Sequence, residues 1–359
     1  MKHQYDRRQF LIGAASVTMA GMAGVLLGCS ASGTESAGSG AGESAPAENT
    51  EPITFVFLPD ASSADLTASR EAVEEFIREA TGREAEIMTS TDYNVAIEAL
   101  ASGSASMALL GAEGYVQANR KNSQVVAAFT NSDEDGSLDG ACYYSRICVR
   151  TEDAGEYRSG SGYTLEPLEG RSFSFVSATS TSGFKVPSAT IVSTFDLDSN
   201  EVLLQNGAFF SEVLLGGSHQ GSVVNLVSGD ADAAAFDDID VDMYLSLVSG
   251  EANMPGAVYK VRDDAGDPFT SVHGREFTII AVTPVLNAPF CYNGDVLDEA
   301  TRESLTAYFC SDIVANDARI FKDPDDEDAK ALYEKDSEKT CFLPVDDSWY
   351  DPVRKLSQG

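Results

Sequence analysis

Ser172-Phe173-Ser174-Phe175-Val176, followed without a break by Ser177-Ala178-Thr179-Ser180-Thr181-Ser182-Gly183-Phe184, is the stretch from which the fold is most directly read. A short strand of alternating small and aromatic residues runs into a turn rich in hydroxyls. Val186-Pro187 then opens a helix, at a position where proline loses no hydrogen bond because the first helical turn has no intrahelical acceptors for its N–H groups.

The same strand-turn-helix unit recurs on either side. Upstream, Ile53 to Leu58 reads as a strand. Val73, Phe76, Ile77 and Ala80 fall at helical spacing and stop at Gly82, and Glu86-Ile87-Met88 is a weak strand. Thr91 or Asp92 caps a helix carrying Val95, Ala96 and Leu100 that ends near Gly103, and Met107 to Leu110 and Val125 to Phe129 are strands. Downstream, a helix follows Ser218-His219, Ala233 to Phe236 is a strand, and Phe277 to Val282 is expected to return to the first sheet ahead of a helix near Asp298 to Phe309. Alternating β and α elements predict an α/β protein with mainly parallel sheets flanked by helices. We expect two lobes, 52–148 with 277–359 and 149–276, joined by two crossings. A ligand would sit between them, facing the carboxyl ends of the strands.

The chain has 359 residues, with 24 Lys and Arg against 57 Asp and Glu, for a net charge of −33. Nucleic acid is excluded as a partner, because polyphosphate would meet a repulsive field. Residues 1–28 read as an export signal: Arg7-Arg8 followed by an apolar run from Ile12, a twin-arginine-like pattern, closing on Leu26-Leu27-Gly28-Cys29. That ending resembles a bacterial lipobox with Cys29 lipidated, which would hold the exported protein on the outer face of the cytoplasmic membrane. Residues 29–51 then form a flexible tether of Ser, Gly, Ala, Glu, Thr and Pro with a reach of ~25 Å. Without the signal the charge is −35, so acyl chains rather than surface charge must provide the anchor.

Free N–H groups at a helix start, together with the hydroxyls of Ser180, Thr181 and Ser182, form a cage suited to a small tetrahedral oxyanion. In so acidic a protein such a cage must work through contact donors, since surface charges are screened over ~8 Å. A monoanion is then easier to hold than a dianion.

Ser180-Thr181-Ser182-Gly183-Phe184 with Val186-Pro187 resembles the turn of phosphonate, phosphite and phosphate-binding proteins of ABC importers. Thr91-Asp92-Tyr93, Leu110-Gly111-Ala112-Glu113-Gly114-Tyr115, Gly217-Ser218-His219 and Gly229 to Ala234 follow in that family's order. The resemblance implies a two-lobed type II periplasmic-binding-protein fold and a lipid-anchored receptor that delivers a phospho-oxyanion to a permease and ATPase, with no cofactor, catalytic residue or metal. It implies that Ser180, Thr181 and Ser182 cradle the anion and that Tyr93, Tyr115 and His219 add donors. Asp237 or Asp238 would meet a ligand amino group. Glu113 and Ser177-Ala178 depart from the family pattern, and the former bears on ligand size or charge.

Phosphonate, phosphite, phosphate and sulfonate all share the oxyanion, so the sequence leaves the ligand open. A sensor that presents its ligand to a signalling receptor is an alternative role. A phosphoester hydrolase is disfavoured, because there is no Gly-x-Ser-x-Gly elbow and no metal-ligand spacing. Besides Cys29 there are five cysteines. Cys142 and Cys148 are too far apart on one strand to pair, while Cys291 and Cys310 are candidates for a disulfide, with Cys341 a rival.

Overall fold

Short β-branched and aromatic runs build two sheets, and the helices between them carry their apolar residues at helical spacing. The computed structural model describes residues 51–326 and 329–357. The expected signal, Cys29 and all but the last residue of the tether lie outside the described residues.

The first sheet contains β1 (Ile53–Phe57), β2 (Ala85–Thr89), β3 (Met107–Leu109) and β4 (Val125–Asn131), connected through α1 (Thr67–Thr81), α2 (Tyr93–Ser102) and α3 (Ala112–Lys121). Helix α1 buries Val73, Phe76 and Ile77 and ends on Gly82 at φ 67°, a conformation that glycine adopts without strain. The second sheet contains β5 (Cys142–Arg150), then, after a small hairpin of β6 (Arg158–Ser159) and β7 (Gly162–Tyr163), β8 (Ser172–Phe175), β9 (Glu212–Leu215), β10 (Ala233–Asp237), β11 (Leu245–Ser249), β12 (Val258–Val261) and β13 (Glu276–Leu286). Its helices α4 (Val186–Phe195) and α5 (His219–Ser228) follow β8 and β9. The chain then returns through β14 (Phe290–Asn293), α6 (Glu299–Phe309), α7 (Asp312–Ala315), the paired β15 (Phe321–Lys322) and β16 (Tyr333–Glu334), β17 (Phe342–Pro344) and α8 (Asp351–Leu356).

The sheet orders are β17-β4-β14-β3-β1-β2 and β11-β12-β13-β5-β10-β8-β9. Parallel pairing joins β2, β1 and β3 in one sheet and β9, β8 and β10 in the other. These strands are linked by crossover helices, which parallel neighbours need; β11, β12 and β13 follow one another without an α-helix and pair antiparallel.

Two strands differ from expectation. Phe277 to Val282 does not return to the first sheet: it lies in β13, which pairs with β5 from Phe277 opposite Arg150 to Leu286 opposite Cys142. Both strands belong to the second sheet, so the chain passes between the sheets at 132–141 and 287–289, and β14 is the strand that returns. The ladder decides this, because splitting either strand between sheets would orphan its backbone hydrogen bonds.

Alternation along β14 puts Phe290 and Tyr292 on one face of the first sheet with Phe55, Phe129 and Phe309, and Cys291 on the other. Cys310 packs on the Phe290 face, so the sheet itself separates the candidate pair Cys291 and Cys310. All five cysteines among the described residues are free thiols.

The side chain of Arg146 is fully buried inside the second sheet. Its Nη2 donates to Asp242 Oδ2 at 2.7 Å and its Nε to Asn253 Oδ1 at 2.7 Å, and the guanidinium lies 4.7 Å from the Tyr259 ring centre. Breaking a buried ion pair costs ~3–5 kcal/mol, but Asp242 is partly exposed and can rehydrate. Arg146→Met should therefore lower unfolding stability by about 2–3 kcal/mol, read from urea denaturation of the purified protein.

Candidate functional site

The turn after β8 is a single π-helical turn, Thr181–Lys185, in which Lys185 N donates to Ser180 O at 3.0 Å. Ser180 caps it, its Oγ accepting from Gly183 N at 3.0 Å. Gly183 is required by packing: a Cβ there would lie 2.3 Å from Val176 Cγ2. Ser145 Oγ on β5 donates to Ser182 O at 2.6 Å and ties the turn to the sheet. The N–H groups of Thr181 and Ser182 are the first of the turn, with no intrahelical acceptor. Ser180, Thr181 and Ser182 are all buried.

The turn opens on a cavity of about 70 Å³ lined from both sheets. Phe57, Asp60, Tyr93 and Gly111 come from the first, and Tyr143, Ser180, Thr181, Ser182, His219, Asp237 and Asp240 from the second. Tyr93, at the start of α2, is held there because Asp92 caps that helix through Asn94 N at 2.7 Å. Its phenol donates to Asp60 Oδ2 at 2.5 Å, and burial, with Asp60 nearby, pushes its pKa well above the usual range. Ser218 likewise caps α5 through Gly221 N at 3.0 Å and so sets His219 at the first helical position.

The His219 main-chain N–H donates to Asp60 Oδ1 at 2.7 Å, linking the end of a first-sheet strand to the start of α5 beside the second sheet. Its ring Nδ1 accepts from Asp237 N at 2.9 Å, which leaves Nε2 as the protonated nitrogen, 3.2 Å from Asp237 Oδ2. Ser182 Oγ also donates to Asp237 Oδ2, at 3.0 Å, and accepts from Tyr143 OH at 3.2 Å. Burial raises the Asp237 carboxyl well above its ordinary pKa, and the charges of Asp238 and Asp60 add to this.

Of the residues expected from the sequence, Tyr93, Ser180, Thr181, Ser182, His219 and Asp237 meet at this cavity, and Tyr115 and Asp238 do not. Tyr115 lies one turn into α3 on the face that packs against the C-terminal segment. Its ring centre is 5.2 Å from that of Tyr350, and its hydroxyl donates to Asp347. What α3 brings to the turn is its N-terminus: Glu113 N donates to Thr181 Oγ1 at 2.8 Å, and a Cβ on Gly111 would lie 2.9 Å from that oxygen. The Glu113 side chain is not part of the lining. It bonds Gln117 and Ser357 and stands 3.8 Å from Lys185, away from the cavity. Asp238 follows Asp237 at the strand end and faces the opposite side, where it accepts from Tyr144 N and Asn253 Nδ2, each at 2.9 Å.

Asp60, Tyr143 and Asp240 line the cavity without having been foreseen. For Asp60 a signal existed: it follows Pro59 just past β1, at the carboxyl end of a parallel strand, where open sheets place ligands. Carboxyl oxygens of Asp60 and Asp240 and a ring nitrogen of His219 lie within 4.8 Å of one another and form the one group among the described residues with metal-ligand spacing. Asp60 and His219 Nδ1 spend their acceptors on Tyr93 and on main-chain amides, as a hydrogen-bonded cluster does.

Residues 55–350 match the sequence profile of the family described as the periplasmic substrate-binding protein of the phosphonate ABC transporter. The chain is 25% identical over 337 residues to the phosphate-import protein PhnD of Mycolicibacterium smegmatis, covering 92% of this chain and 91% of that one. Its fold is similar to that of a binding protein component of an ABC phosphonate transporter from Pseudomonas aeruginosa, with TM-score 0.59, 17% identity and 86% of each chain covered. It is also similar to that of PhnD1 from Prochlorococcus marinus in complex with methylphosphonate, with TM-score 0.60, 16% identity, and 86% of this chain and 98% of that one covered. The match over most of its length means that the chain belongs to the family of periplasmic phosphonate-binding components of ABC transporters.

Proposed function

We propose that this protein is a lipid-anchored receptor that closes two lobes, 52–148 with 277–359 and 149–276 apart from the strand ends reassigned above, on a small phosphonate, phosphite or phosphate and passes it to a permease and ATPase. The observation that carries the ligand class is the buried hydroxyl turn Ser180–Ser182, whose first N–H groups open on a cavity of about 70 Å³. At ~10–15 Å³ per water-sized atom, 70 Å³ takes about five to seven heavy atoms. Phosphite, phosphate and methylphosphonate fit that count. Binding without covalent change is favoured because, among the described residues, no serine of the turn hydrogen-bonds to His219.

The anchor rests on the Leu26-Leu27-Gly28-Cys29 sequence, and no helix among the described residues is long and apolar enough to cross a membrane. Replacing Cys29 with Ser should move the exported protein from the membrane fraction to the soluble fraction and abolish its labelling by a fatty-acid analogue.

Hydrogen bonds to a charged acceptor are worth ~1.5–3 kcal/mol each. Calorimetry with methylphosphonate, phosphite and phosphate should therefore show Ser180→Ala with Ser182→Ala weakening the tightest ligand by at least ~2 kcal/mol. Because Ser180 also caps the turn, the variant's melting curve is recorded alongside. Unchanged affinity in a folded double variant would falsify the cage.

A further inference from the structure

The cavity combines two chemistries that conflict for an anion. Hydroxyls and N–H groups face it, yet no Lys or Arg is among its described lining residues, and three carboxyls, Asp60, Asp237 and Asp240, open on it. Two cations on the elements around it point elsewhere: Lys185 toward Glu113, and Arg146 toward Asp242. Asp237 Oδ1 accepts from Asp240 N at 3.1 Å, which fixes the two carboxyls as neighbours. Oxygens of Asp60 and Asp240 lie within 4.8 Å of each other and of a His219 ring nitrogen. Ser182 Oγ, one of the cage donors, is already committed to Asp237.

An oxyanion bound here is therefore in contact with groups that, if ionised, repel it in a low-dielectric pocket. Given the phospho ligand proposed above, we propose that capture is coupled to one proton, held between a ligand oxygen and the Asp237–Asp240 pair. This pair then favours a phospho group, whose dianion can take that proton onto its own oxygen, over a sulfonate or sulfate, which can only accept a hydrogen bond from it.

The surroundings agree. Burial raises both carboxyls well above the ordinary carboxylate range; the charges of Asp238 and Asp60 add to this at Asp237, and those of Asp237 and Asp60 at Asp240, where His219 opposes it. Tyr93 on α2 and Tyr143 on β5 face the pair as neutral donors, their ionisation pushed up by burial. His219 faces it from α5 and Tyr333 from the C-terminal segment, while Asp238 stands behind it among Arg146 and Asn253. An incoming anion raises the proton affinity of the pair further. Protons are therefore taken up on binding, and affinity falls as pH rises through the raised range.

The test is titration calorimetry of the purified full-length protein with inorganic phosphate, methylphosphonate and methanesulfonate, in buffers of differing ionisation heat, from acid to mildly alkaline pH. Expected are uptake of about one proton per phospho ligand at alkaline pH, an affinity falling by up to about tenfold per pH unit there, and methanesulfonate at least ~10-fold weaker than methylphosphonate. In Asp240→Asn the uptake should drop by about half or more and the pH profile should flatten. Phospho binding with no buffer-dependent heat overturns the proposal while leaving the phospho reading intact, as does methanesulfonate binding equal to methylphosphonate. The same proton count in Asp240→Asn overturns the assignment to the pair. The wild-type count keeps the proposal testable if that variant fails to fold. Absence of any phospho binding at any pH overturns the phospho reading itself, and this proposal with it.

Discussion

A helix that starts inside a protein leaves amide hydrogens that must find acceptors, and two such starts converge on one cavity here. The turn Thr181–Lys185 and the helix His219–Ser228 both begin at strand ends of the second sheet, each capped by a serine that satisfies one amide. The first sheet answers with Asp60, which accepts from His219 N, and with Glu113 N, which donates to Thr181 Oγ1. His219 and Thr181 therefore tie the two sheets together and also line the cavity. Any anion that enters must compete with, or be accommodated beside, a carboxyl already seated at the start of α5.

This accounts for how an anion receptor can carry a net charge of −33. Surface carboxylates act through screened water, whereas hydroxyls and amides act at contact distance. The carboxyls that matter are the three inside the cavity, where screening is weak and hydrogen bonds such as Ser182 to Asp237 fix their positions. Protonation, rather than a compensating arginine, is the simplest way such a cavity balances its charge. The buried arginine nearby, Arg146, is consumed by Asp242 and Asn253 and serves the integrity of the second sheet instead.

Much of this was legible in sequence because it is local. The strand into the hydroxyl turn, the Gly82 and Gly103 stops and the Asp92 cap each depend on residues within one or two turns of one another, and the structure forms them as read. That Gly183 is required by its approach to Val176 was not legible, because the two are brought together by the turn's conformation. The parallel segments followed from alternation of strands and helices. Sheet membership of β5 and β13 did not, since an antiparallel ladder between residues 142–150 and 277–286 is a pairing across more than a hundred positions.

The sequence by itself determined the α/β class, the family and the hydroxyl turn, because helix starts, caps and glycine stops are written in neighbouring residues. Only the tertiary structure decided which side chains share the cavity. Tyr115 turned out to face Tyr350 and Asp347, Asp238 to face Asn253, and Asp60 and Asp240 to stand beside Asp237. The reason is geometric: the face a side chain presents is set by the packing of its helix or by the register of its strand against distant partners, and neither is carried by the residue's own neighbours.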